Sequence, residues 1–239
     1  MKQLPLIGLI IMLLTAGFAN AQKSVVFLHG AASFPIADYG AVSGNGSGYN
    51  RNSGYATTGF MSEIGFSYNF AKHWGAELKL MHAGHPVDEN AIINTLRIEL
   101  NPNLNYGVSY DNWDVGAFLL GAHYIFPFSK SNFQIQLLFG VLGKGETNYT
   151  ISSFDYVNGY FSTLNGKTES ASGFAGCFGL QYELDLSPNI GIDFLYQSIA
   201  ADLEYGEQIT NLFSGYTYFY RSEQNIQFIN LGAGIHFRF

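Results

Sequence analysis

The chain has 239 residues, 47% hydrophobic and 16% aromatic, with 28 glycines, yet only 12% are charged, about half the share usual in a soluble domain. A soluble protein covers itself with charge, and this one does not. The formal net charge of −7 argues against a nucleic-acid partner, which would require a basic stripe.

The first 21 residues read as a Sec signal peptide. Lys2 supplies the positive start, Leu4–Phe18 the apolar core and Ala19-Asn20-Ala21 the small-x-small cleavage site, so the mature domain is expected to span 22–239. Loss of Lys2 leaves it one unit more acidic. The residue directly after the cleavage site is Gln22 and not Cys, which argues against a lipoprotein anchor. Beyond it, the longest stretch without a polar side chain is about eight residues, Val115–Ala122, against the roughly 18 of a helical span. Cys177 has no second cysteine for an internal disulfide and is expected as an inert thiol inside the fold.

Period-two patterns then recur along the chain. Val25–Phe34 is a strand by content with ambiguous parity. Thr58–Phe70 sets Phe60, Ser62, Ile64, Phe66, Tyr68 and Phe70 against Met61, Glu63, Gly65, Ser67 and Asn69. Trp74–Leu80 and Phe133–Val141 alternate as well, while Trp113–Phe126 is again ambiguous. Phe174–Leu186 and Asn189–Gln197 place aromatics and aliphatics opposite glycines and acids. In Gln227–Phe239 the odd positions from Ile229 onward are apolar throughout, and the even ones are mostly polar or small. Large apolar side chains can stand in lipid, while small and charged ones fit a narrow lumen. A soluble barrel of the lipocalin kind would show the opposite arrangement.

Three connections are tight: Ala71–His73, Pro127–Ser131 and Ser187–Asn189. Four are long, roughly 22–28 residues each (35–57, 84–111, 144–170 and 201–222), and short turns alternating with long loops are how outer-membrane barrels are built. The expectation is an all-β, closed antiparallel up-and-down transmembrane barrel of eight strands. Ten strands are the alternative, because Ile92–Leu100 and Leu104–Tyr110 both alternate around Asn101-Pro102-Asn103. They are read as a hairpin extending above the membrane. Aromatics near strand ends (Phe70, Trp74, Trp113, Phe126, Phe128, Phe133, Phe237, Phe239) fall where interfacial girdles are expected.

An Ala-x-Ala leader, glycine–aromatic strands, alternating connections and a terminal strand ending His236-Phe237-Arg238-Phe239 resemble the small outer-membrane barrel families typified by OmpA and OmpX. That resemblance implies a Gram-negative outer-membrane location, with lipids and lipopolysaccharide as surroundings. It also implies that Leu231, Ile235, Phe237 and Phe239 form the signal read by the barrel-assembly machinery. No peptidoglycan-binding domain is expected.

No active site is expected. Tyr196-Gln197-Ser198 has Tyr where a PagL-like deacylase has its His, and His82 and His85 lack the partners of a PagP-like transferase. Asp88-Glu89 with His85 reads as solvated loop charge rather than an omptin-type centre. His82, His85 and His123 lack metal-ligand spacing on one strand face, Asn45–Gly48 lacks a phosphate-loop context, and no cofactor is expected. Tyr149–Tyr160 and Tyr216–Tyr220, dense in Tyr, Asn, Ser and Thr, suit an adaptable binding surface for an extracellular ligand.

Glu63, Glu77, Lys79, Glu183, Asp193, His236 and Arg238 fall on the inward parity. An eight-stranded lumen has room only for side chains, and unpaired buried charge is costly. A salt-bridged plug follows, with Lys79 expected to reach Asp193. A structural or surface-binding barrel is therefore favoured over a narrow channel for small solutes, with a lipid-modifying enzyme third.

Overall fold

The computed structural model describes residues 24–42 and 53–239. The signal-peptide reading and the stretch Asn45–Gly48 lie outside them. Eight strands form the ring: β1 (Ser24–Ile36), β2 (Gly59–Tyr68), β3 (Trp74–His85), β5 (Trp113–Pro127), β6 (Ser131–Lys144), β9 (Ala171–Asp185), β10 (Ile190–Asn211) and β11 (Thr217–Arg238). Each pairs antiparallel with its neighbour, and β11 pairs with both β1 and β10, so the circuit closes.

The alternation read from sequence sets which face is which. Leu28, Ile64, Leu80, Phe118, Leu120, Leu137, Phe139, Phe178, Phe194 and Leu231 stand exposed on the outside. Their inward neighbours are buried. The apolar belt ends toward the long loops at outward His82, Asp114, Ser172, Asp202 and Asn225, and toward the short turns near Phe70, Trp74, Phe126 and Phe237. Such a belt is the outer surface of a membrane barrel. Trp113 is not part of a girdle. It faces inward, 2% exposed, because its indole nitrogen donates to the Gly54 carbonyl at 3.0 Å.

The second long connection departs from the hairpin expectation. Glu89–Glu99 forms a helix, labelled α2, after the short α1 (Ala37–Gly40). Asp88 caps α2 by accepting from the Ala91 amide at 2.9 Å, and Ala91 and Thr95 form its buried face. The alternation of Leu96, Ile98 and Leu100 was local, and the cap with its i,i+4 pair decided the outcome. Asn105–Tyr110 is a strand, β4, but it pairs with β7 (Thr147–Phe154). Helix α2 packs on β4, and the Tyr110 amide donates to Glu89 Oε1 at 2.9 Å.

Beyond the belt, on the side of the long connections, β4, β7, β8 (Phe161–Thr168) and the upper halves of β10 and β11 make one sheet. Positions 201–222, expected as a loop, continue β10 and β11 in unbroken register from Ile190↔Phe237 to Thr210↔Thr217.

Candidate functional site: the filled lumen

The lumen is filled in three layers. Nearest the short turns lies a polar layer supplied by every ring strand. Lys79 Nζ is 3.3 Å from Glu63 Oε1, 3.0 Å from Glu77 Oε1 and 3.0 Å from Gln136 Oε1. His29 lies between two acids, with Nδ1 2.7 Å from Glu63 Oε1 and Nε2 2.9 Å from Asp193 Oδ2. His236 Nδ1 is 2.6 Å from Asp193 Oδ1, and its Nε2 is 3.6 Å from Asp185 Oδ1. Arg238 spans Asp185 at 2.5 Å and Glu183 at 2.7 Å. Gln181 donates to Glu183 at 3.4 Å and accepts from Gln136 at 2.8 Å, which leads back to Lys79. The contacts therefore form a closed circuit around the barrel axis.

All seven polar residues singled out from sequence lie in this layer, but Lys79 does not pair with Asp193. Glu63 on the adjacent strand is nearer, one diagonal step away in a register that pairs Gly65 with Lys79. The link to Asp193 runs through Glu63 and His29. Both His29 ring nitrogens face carboxylate oxygens, and a neutral imidazole has only one N–H to give.

Gln136, Gln181 and Asp185 join the seven in this layer, as do two histidines, His29 and His123, that the sequence reading did not assign to it. His123 Nε2 is 2.8 Å from Asn69 Oδ1 and its Nδ1 is 3.2 Å from Glu77 Oε2. Their strands are apolar on both faces, so parity gave no signal. One clue was present in the glycines. A Cβ on Gly234 would sit 2.1 Å from the His29 ring, on Gly75 2.3 Å from His123, and on Gly191 2.3 Å from His236. Each ring lies over a neighbouring strand's glycine. Glu183, Asp193 and His236 lie close enough together to hold a metal ion. Arg238 on Glu183 and His29 on Asp193 already occupy that cluster with cationic or donor groups, so the set reads as part of the circuit.

Above the polar layer sits an apolar one of Met61, Met81, Leu119, Leu138, Cys177 and Ile199. The third layer is a lid from the first long connection. Tyr39 on α1 is fully buried, with its ring edge-on to Trp113 and His85 and tilted against Phe228. Its hydroxyl is 2.9 Å from His85 Nδ1, while His85 Nε2 is 2.8 Å from Ser33 Oγ. Of the other candidates, His82 is exposed, 3.7 Å from Asp114. Ser198 faces the belt rather than the lumen, and Asp88 and Glu89 are the cap and first turn of α2.

No family model and no curated protein matches the chain. Among solved structures, the Neisserial surface protein A (NspA) superposes with a TM-score of 0.51 at 12% identity, over 92% of this chain and 99% of its own. OprG from Pseudomonas aeruginosa gives 0.46 at 15% identity, over 92% and 97%. Ail of Yersinia pestis gives 0.41 at 15% identity, over 91% and 100%. At these identities the likeness is one of fold. The chain has the fold of the small bacterial outer-membrane β-barrel proteins, and its outward apolar belt is that of a barrel standing in a membrane.

Proposed function

We propose that this protein is a non-enzymatic barrel with a sealed lumen, whose role is carried by the sheet it raises above the membrane. The observation that carries this reading is the fully buried Tyr39 lying over an apolar layer and a closed polar circuit. A solute would have to displace all three layers, and breaking buried ion pairs is costly. Planar-bilayer recording of the purified protein tests it. The expected record is a flat baseline, and regular unitary steps would establish the narrow-channel reading instead.

One observation favours a second reading. Ser33 Oγ and His85 Nε2 have the spacing of a nucleophile and its base. Both are fully buried, and Tyr39 takes the other ring nitrogen, so we read the trio as the latch of the lid. A fluorophosphonate probe should leave the folded protein unlabelled, whereas modification at Ser33 would support acyl transfer.

The outward face of β11 carries Leu231, Ile235 and Phe237, with Phe239 just beyond its end. We assign to it the signal for the assembly machinery. Phe239→Ser should refold from urea into detergent as wild type does, yet accumulate in the periplasm of cells. Normal insertion in cells would remove the assignment.

A further inference from the structure

The outward face of the sheet above the belt is polar where the barrel's outward face is apolar. Register places Asn148, Lys167 and Gln208 side by side on β7, β8 and β10, and Thr150, Asn165 and Thr210 in the next row. This is a two-by-three grid of amides and hydroxyls with one amine. A shallow hollow of about 280 Å3 opens over these six side chains. The grid is held in place from its edges. Thr150 donates to Asn165 at 3.1 Å, Asn148 donates to Asp111 at 2.9 Å, and Thr210 lies 3.0 Å from Thr217. On the reverse face, Tyr149 lies across Gly166, where a Cβ would come within 1.8 Å of its ring. Tyr149 also stacks on Tyr110 and donates to Glu207 at 2.6 Å. The platform is rigid behind and polar in front.

Its position limits what can meet it. The face continues the outward side of β10, whose belt ends at Ala200. Gln208 lies about eight residues higher, or about 20 Å at ordinary strand rise and barrel tilt. At that height, a barrel whose long connections face outward from an outer membrane meets the sugars of neighbouring surface glycolipids. The charges select among those sugars. Lys167 is engaged by Glu146 at 2.7 Å, and Arg221 by Glu204. Asp202, Glu204 and Glu223 line the hollow just above the belt. The surface disfavours phosphate and offers hydrogen bonds to neutral hydroxyls.

We propose that this grid binds the neutral sugars of lipopolysaccharide in the protein's own leaflet, above the phosphorylated inner core. The inference rests on the reading of the extracellular sheet as the functional part. The protein holds a neighbouring glycan upright beside it, and the aromatic hairpin tips beyond the grid remain clear of the sugar layer.

The test uses the nitrogen-15-labelled full barrel in nanodiscs. The probe is the free core oligosaccharide released from the source cell's lipopolysaccharide. Saturable shifts of the Asn148, Asn165 and Gln208 side-chain amides are expected. The exposed double variant Asn165→Leu, Gln208→Leu, verified as folded by its heat-dependent gel mobility, should bind about tenfold more weakly. In a second arm, wild-type protein should retain complete-core lipopolysaccharide over the same lipid trimmed to its phosphorylated inner core. Undiminished binding by the variant, equal retention of the two lipids, or no binding at all would overturn the proposal. A conducting lumen would overturn the sealed-barrel reading while leaving these results untouched.

Discussion

The Nε2 atom of His29 lies 2.9 Å from Asp193 Oδ2, joining β1 to β10 across 164 residues of chain. The other ring nitrogen joins the same histidine to Glu63 on β2. One side chain therefore ties three strands on either side of the seam where the first and last strands meet. His29→Leu leaves Glu63 and Asp193 without their bridge, and loss of one partner in a buried ionic set costs about 3–5 kcal/mol. Urea unfolding in lipid vesicles should show a loss of that order. Adding Asp193→Asn should recover part of it, because the remaining charge is then removed. An additive double variant would mean that the two residues are not coupled.

Lys79 contacts Glu63, Glu77 and Gln136, so Lys79→Met exposes two acids to each other. The melting temperature in detergent should fall and ion leak across planar bilayers should rise together. If both stay at wild-type values, the circuit does not seal the barrel.

Gly191 tests the fit between rings and glycines. A methyl there would lie 2.3 Å from the His236 ring and 2.6 Å from the Leu184 carbonyl. Overpacking of this kind costs about 1–3 kcal/mol. Gly191→Ala should lose stability within that range. Gly176→Ala, where a Cβ meets nothing within 4 Å, should not.

The tip of the β7–β8 hairpin depends on Asp155. Its carboxylate accepts from the Asn158 side chain at 2.8 Å and from the Val157 and Asn158 amides at 2.8 Å and 3.2 Å. Those hydrogen bonds, the side-chain one foremost, hold its pKa below the ordinary 3.8. The turn is accordingly stabilised above that ordinary value, and the contribution disappears as pH falls through the lower folded value. A carbon-13 titration of Asp155 should show the depressed midpoint, and Asp155→Ala should speed amide exchange at Val157 and Asn158. A midpoint at 3.8 or above would contradict the turn geometry.

Much of the barrel was legible because lipid and lumen demand opposite chemistry on alternate residues. The run Ile229, Leu231, Ala233, Ile235, Phe237 against Asn230, Gly232, Gly234, His236, Arg238 admits one orientation. The same logic failed for β1 and β5. Ala31, Val115, Ala117 and Leu119 face a lumen whose upper part is itself apolar, and Val25 and Phe27 turn inward at the level of the polar layer, so neither face stood out and His29 and His123 stayed hidden. Helix α2 was obscured by Leu96, Ile98 and Leu100, although Asp88 stood three residues before Ala91 as a cap. The pairing of Lys79 with Glu63 depended on strand register, which parity does not fix. The sheet beyond the belt was concealed by composition, since Asn, Thr and Ser on its outward face read as loop.

Cys177 offers the most direct test of the sealed lumen. It is the chain's single cysteine and lies 2% exposed between the lid and the polar circuit. A small charged thiol reagent should leave the folded protein in liposomes unmodified from either side, and modify it fully after unfolding. Rapid labelling of the folded wild-type protein would show an open water path through the barrel and contradict the account.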